Sequence, residues 1–93
     1  MRTIKFTSRF KRDYRREQSG KHGKKLDALL EGIIDLLAAD NPLPPNAVDH
    51  PLIGELNDCR DCHVKPDLIL IYRKTDDNAL ELVRLGSHSE LGL

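Results

Sequence analysis

Ninety-three residues with two Phe, two Tyr and no Trp allow one domain whose modest core must be filled by Leu, Ile and Val, which argues against a flat, aromatic-lined small-molecule pocket. No apolar run reaches the roughly 18 to 20 residues of a membrane span, and the start Met1-Arg2-Thr3-Ile4-Lys5-Phe6 lacks the apolar segment of a secretory signal, so the expected address is cytoplasmic with no membrane partner. The formal net charge of zero hides a split: residues 1–25 carry ten Lys or Arg against Asp13 and Glu17, a net +8, and the other 68 residues carry a net −8, a pattern suited to a phosphate-bearing partner such as nucleic acid.

Thr3 to Phe6 fit a short opening strand. Ser8 then offers a helix N-cap, and Phe10 and Tyr14, four apart, give the segment of about residues 8–18 a narrow apolar stripe with basic flanks. Ser19, Gly20 and Gly23 break that helix and leave His22 as a solvated turn residue. From Lys24 to Asp40, Leu26, Leu29, Leu30, Ile33, Ile34 and Leu37 recur at three- and four-residue intervals, which predicts a helix with one apolar face. Pro42, Pro44 and Pro45 end it, because proline lacks an N–H and restricts the residue before it.

The chain then reads as strands. Residues 59–65 form the first and Leu68-Ile69-Leu70-Ile71-Tyr72 a central strand buried on both faces. Ala79 to Leu85 form the last, after a turn over residues 74–78. The order strand, helix, helix, then three or four strands predicts an α+β sandwich: two helices packed on one mostly antiparallel sheet.

Three histidines fall among carboxylates in this second half, in Asp49-His50-Pro51-Leu52, in Arg60-Asp61-Cys62-His63 and in Arg84-Leu85-Gly86-Ser87-His88. Cys59-Arg60-Asp61-Cys62-His63 has the spacing of a c-type haem attachment site, but an extended backbone sends residues 59 and 62 to opposite faces, and Met1 is the only methionine. A zinc site would use Cys59, Cys62 and His63 with His50 or His88. A third reading takes the strand at face value: Asp61, His63 and Lys65 line one side while Cys62 and Val64 pack on the other. A carboxylate, an imidazole and an ammonium on one face suit phosphodiester cleavage without metal, with Asp67 and His88 completing the set. The plainer alternatives are surface histidines, Asp49 capping a turn, Asp67 stabilising a hairpin and Arg84 pairing with a nearby Asp.

Asp49-His50-Pro51-Leu52, the run Arg60-Asp61-Cys62-His63-Val64-Lys65-Pro66-Asp67-Leu68-Ile69-Leu70-Ile71-Tyr72 and the ending Arg84-Leu85-Gly86-Ser87-His88-Ser89 together resemble the YafQ branch of the RelE/ParE toxin superfamily. The likeness covers nearly the whole chain, and it implies a single RelE-like domain over residues 1–93 of order β-α-α-β-β-β, with a four- to five-stranded sheet. It also implies a bacterial cytoplasmic toxin of a type II toxin-antitoxin pair, an endoribonuclease that cuts mRNA on the ribosome and is held inactive by a cognate antitoxin. The family's functional positions fall on His50, Asp61, His63, Asp67 and His88, with Arg84 as a supporting cation. His88 would be the general acid, Asp67 or His63 the base or its orienting partner, and His50 and Asp61 would position RNA or tune the others. Lys5, Arg9, Lys11, Arg12, Arg15, Arg16 and Lys65 would meet RNA phosphates. One position departs from the family, which usually has a phenylalanine four residues after the last histidine: here it is Gly92. Loss of a stacking ring, worth about 1 to 3 kcal/mol per base, makes a non-cleaving member that only binds antitoxin or nucleic acid the competing reading, ahead of a zinc-binding regulator.

Overall fold

A computed structural model describes residues 1–93. Strand β1 (Thr3–Phe6) leads into helix α1 (Ser8–Gln18) and helix α2 (Leu26–Ala38); strands β2 (His50–Pro51), β3 (Arg60–Lys65), β4 (Leu68–Lys74) and β5 (Ala79–Gly86) follow, and a short helix α3 (His88–Leu91) ends the chain. The sheet order is β1-β5-β4-β3-β2, antiparallel except that β1 runs parallel to β5. This is the expected α+β sandwich, with two additions that hydrophobic patterning does not announce: the two-residue strand β2 and the helix α3.

The apolar periodicity of α2 does what it predicts. Leu26, Leu30 and Leu37 are buried against Cys62, Leu68, Leu70, Tyr72, Leu80, Leu82 and Leu85 from the sheet, and Phe10 of α1 joins them. Thr7, rather than Ser8, caps α1: its hydroxyl accepts the Phe10 N–H at 3.0 Å, so the helix begins one residue earlier than expected of its cap. Stacking of Phe6 on Phe10 and of Phe10 on Tyr14 carries the apolar stripe of α1 into an open groove of about 710 Å³ between β1, α1 and α2. His22 is half-buried, and its Nε2 is shut off from solvent without a hydrogen bond, which corrects the expectation of a solvated turn residue.

Register decides what each sheet face carries. Cys62, Leu70 and Leu85 lie side by side on the core face, while His50, Asp61, Ile71 and Arg84 form one row across the opposite face. A second row there holds His63, Ile69 and Gly86. The alternation breaks after His63, where a bulge sets Lys65 opposite Leu68 of the core face. Lys65 therefore does not continue the Asp61 and His63 face, contrary to strict alternation.

Candidate active site

Asp61 is the centre of the polar face. The residue is only 4% exposed, and its Oδ1 has no hydrogen-bond donor. Burial pushes its carboxyl above the usual range, and the nearby His50, His63 and His88 each pull it back down. His50 Nδ1 comes within 2.8 Å of that same oxygen. The imidazole N–H is nevertheless aimed at the Val48 carbonyl, 2.9 Å away, so the contact with Asp61 is not a hydrogen bond and gains from charge only when the ring is protonated. Because a carbonyl can only accept, His50 carries its hydrogen on Nδ1 and, when neutral, keeps a lone pair on Nε2.

The backbone that presents His50 is unusual. Val48 sits in the left-handed region at φ 48° and ψ 48°, strained for a β-branched residue, just where the chain turns into β2. Pairing of His50 with Asp61 and of Pro51 with Arg60 holds the turn from one side. Asp49 holds it from the other, accepting the buried Tyr72 hydroxyl at 2.6 Å and the Arg60 Nε at 3.1 Å. Asp49 thus does more than cap a turn, and Tyr72, which a sequence reading places only in the core, clamps the segment that carries His50.

His88 and Asp67 come together at one end of the sheet, where β4 begins and β5 ends. Asp67 lies in the turn between β3 and β4, and its Oδ1 is 3.4 Å from His88 Nδ1. The His88 ring meets the His63 ring edge-on, with centroids 5.3 Å apart. His50, Asp61, His63, Asp67 and His88 therefore form one cluster. Arg84 stands apart from it, because its Nε and Nη2 clasp the buried Asp13 of α1 at 2.7 and 3.3 Å. Of the basic residues expected to face RNA, Lys5 pairs with Asp77 and Arg16 with Asp13, Glu17 and Glu90. Arg9, Lys11, Arg12, Arg15 and Lys65 make no ion pair, and Arg9 and Arg12 border a cleft with Asp13, Arg16 and Arg84.

Cys59 and Cys62 do not join the cluster. Both are buried, with Cys62 packed in the core, and burial pushes their thiols up to about 11 and about 12. The haem and zinc readings of Cys59-x-x-Cys62-His63 thus fail because Cys62 turns into the core, away from His63.

A family model described as the bacterial toxin of type II toxin-antitoxin system, YafQ, matches residues 2–92. The chain belongs to the YafQ toxin family. A curated relative, the mRNA interferase toxin YafQ of Escherichia coli, is 37% identical over 90 residues, which cover 97% of this chain and 95% of the relative. The crystal structure of a metal-bound toxin from Helicobacter pylori superposes with a TM-score of 0.83 at 42% identity, covering 98% of this chain and 99% of that one. The Escherichia coli DinJ-YafQ complex is similar as well, with a TM-score of 0.79, 33% identity and 98% of each chain covered. Gly92 ends α3 at φ 72°, a left-handed cap that glycine adopts without strain.

Proposed function

We propose that this YafQ-family chain is an mRNA interferase, a toxin that cleaves mRNA on the ribosome through its own side chains. The observation that carries this reading is the grouping of three imidazoles around one buried carboxylate whose pKa burial has raised. In the reaction, an imidazole takes the proton of the ribose 2′-OH, the 2′-oxygen attacks phosphorus, and the bond from phosphorus to the 5′-oxygen breaks as that oxygen receives a proton. The products are a 2′,3′-cyclic phosphate and a 5′-hydroxyl.

Geometry favours a division of roles. His88 is the acid: its Nδ1 faces Asp67, which leaves Nε2 free to carry the proton it gives. Asp67 flanks that ring through a long 3.4 Å contact. His50, with its hydrogen held at Nδ1 by Val48, offers Nε2 as the base, which departs from the expectation that Asp67 or His63 plays that part. His63, edge-on to His88, and Asp61, beside His50, tune the two flanking rings. The unpaired cations Arg9, Lys11, Arg12, Arg15 and Lys65 lie along ribosomal or messenger phosphates, and the ribosome supplies the in-line geometry of the substrate. The partner that silences the chain is an antitoxin, as the relative in complex with DinJ suggests, and the site of action is the bacterial cytoplasm.

Cleavage of ribosome-bound mRNA by purified protein tests the reading. His88→Ala and His50→Ala should each lose about 100-fold or more in rate. Replacing the leaving 5′-oxygen by sulfur, which needs no proton to depart, should restore cleavage to His88→Ala but not to His50→Ala. Undiminished cleavage by both variants would eliminate the acid/base site, and no cleavage by the unmutated protein would favour the binding-only alternative.

A further inference from the structure

Strand β1 ends at Phe6, opposite Leu82, while β5 runs on to Gly86, so the last residues of β5 lack a neighbouring strand on that side. Two side chains of α1 take its place. Asp13 accepts the Leu85 N–H at 3.0 Å, and Arg16 Nη2 donates to the Leu85 carbonyl at 2.7 Å. Without them, a buried donor and acceptor would be left unpaired at the point where the chain leaves the sheet.

Arg16 reaches further. Its Nη1 donates to Asp13 at 3.0 Å, and its Nε lies 2.9 Å from Glu90 Oε2 and 3.0 Å from Glu17 Oε2. Glu90 also closes the capping box of α3: its Oε1 accepts the Ser87 N–H at 2.9 Å, while the Ser87 hydroxyl accepts the Glu90 N–H at 3.1 Å. His88 is the first residue of that helix. A continuous chain of contacts therefore runs from Asp13, 3% exposed beneath α1, through Arg16 and Glu90 to the backbone that aims the His88 ring. Gly86 lies where this chain passes over β5. A Cβ there would come within 2.7 Å of Arg16 Nη2 and 3.2 Å of Glu90 Oε1, so a side chain would displace the ends of both. By contrast, the contact of His88 with Asp67 is long at 3.4 Å and joins two exposed groups, too slack to set the ring by itself.

We propose that Asp13, Arg16 and Glu90 form a latch that positions His88 for proton donation, with Gly86 kept as glycine to let the latch close. The proposal rests on His88 being the general acid. It makes Arg16 a positioning residue turned inward to α3 rather than one of the cations that meet RNA, and it joins the first helix of the chain to the chemistry at its end.

Glu90→Gln is the cleanest probe, because it keeps an oxygen for the Ser87 N–H and removes only the charge that Arg16 grips. The residue lies at the surface, so the fold is retained. Arg16→Ala, Arg16→Lys and Gly86→Ala complete the set, with thermal melting run on each. Two readouts are needed: the imidazole NMR signals and titration of His88, and cleavage of ribosome-bound mRNA with the normal and the sulfur leaving group. The latch predicts displaced His88 signals in Glu90→Gln, Arg16→Ala and Gly86→Ala, and a fall of about 10- to 100-fold in kcat with KM within about twofold. It also predicts that the sulfur leaving group erases most of that defect, as it does for His88→Ala, and that Arg16→Lys recovers part of the rate. Unmoved His88 signals, or a defect confined to KM, would overturn the latch and return Arg16 to RNA binding. A His88→Ala variant that cleaves normally would instead remove the acid assignment on which the latch depends, a result distinct from an inactive His88→Ala beside a fully active Glu90→Gln.

Discussion

At the scale of single residues, Asp61 and Asp13 show how two buried carboxylates come to opposite ends. Asp13 would be raised by burial, but Arg84, the Leu85 N–H and Arg16 outweigh that cost and hold its carboxyl below the usual range. Asp61 has no such donors, so burial wins and its pKa rises, despite three histidines. The consequences for stability have opposite signs. Asp13 contributes stability above its unfolded pKa that is lost as the pH falls through its folded value. Asp61 contributes fully only below its unfolded pKa, and that contribution is lost as the pH rises through its elevated folded value. Asp61→Asn should therefore stabilise the fold near neutral pH by about 0.5 to 2 kcal/mol while lowering cleavage, and the gain should fade in acid, where the native Asp61 is itself protonated. Melting curves across the acid range check this; a variant less stable than the native protein at neutral pH would show that Asp61 is held by more than its surroundings display.

At the scale of elements, β3 carries both faces of the argument. Its sequence alternates in plain sight, so Asp61 and His63 on one side and Cys62 on the other were legible, and register confirms that Cys62 lies beside Leu70 in the core. The bulge that turns Lys65 away was not legible, because it depends on how the β3-β4 hairpin closes over Pro66 and Asp67. Helix α3 is a different case. It is too short for a hydrophobic period, yet Ser87-x-x-Glu90 is a capping-box pattern that could have announced it. The burial of Cys62 makes a direct prediction: alkylating reagents should leave the native protein unmodified near neutral pH, since burial pushes its thiol up to about 12, and react only after denaturation. Cys62→Ser should cost about 1 to 3 kcal/mol in denaturant titrations by burying an unpaired hydroxyl. Rapid labelling of the folded protein would place Cys62 outside the core and reopen its role as a ligand.

At the scale of the whole molecule, the charge split survives folding but is thinned by it. Lys5 and Arg16, read from sequence as RNA contacts, are neutralised by Asp77 and by Asp13, Glu17 and Glu90, and Arg84 is bound to Asp13. Arg9, Lys11, Arg12 and Arg15 remain unpaired on α1. Counterion release then sets the expectation: affinity for ribosomes should fall steeply with salt, and Arg9→Ala or Arg12→Ala should each reduce the slope of log K against log salt by about 0.7 to 0.9. Lys5→Ala should leave that slope nearly unchanged, and sedimentation binding assays at several salt concentrations distinguish the two classes. An equal effect of Lys5 and Arg9 would mean that the Lys5 to Asp77 pair opens when RNA arrives.

The sequence by itself determined the elements and the chemical inventory: a strongly periodic α2, an apolar β4, alternation along β3, and three histidines with two carboxylates in motifs that resemble a toxin family. Those signals are local, set by residues within a few positions of one another. Only the tertiary structure decided which groups are free to act. Asp61 became the raised centre of three imidazoles, Asp67 fell to His88, Arg84 and Arg16 were drawn to Asp13, and Tyr72 reached out of the core to Asp49. Each of these pairings joins residues distant in the chain, and whether a charge stays available depends on the partner that folding brings within reach and on how much water is left around it.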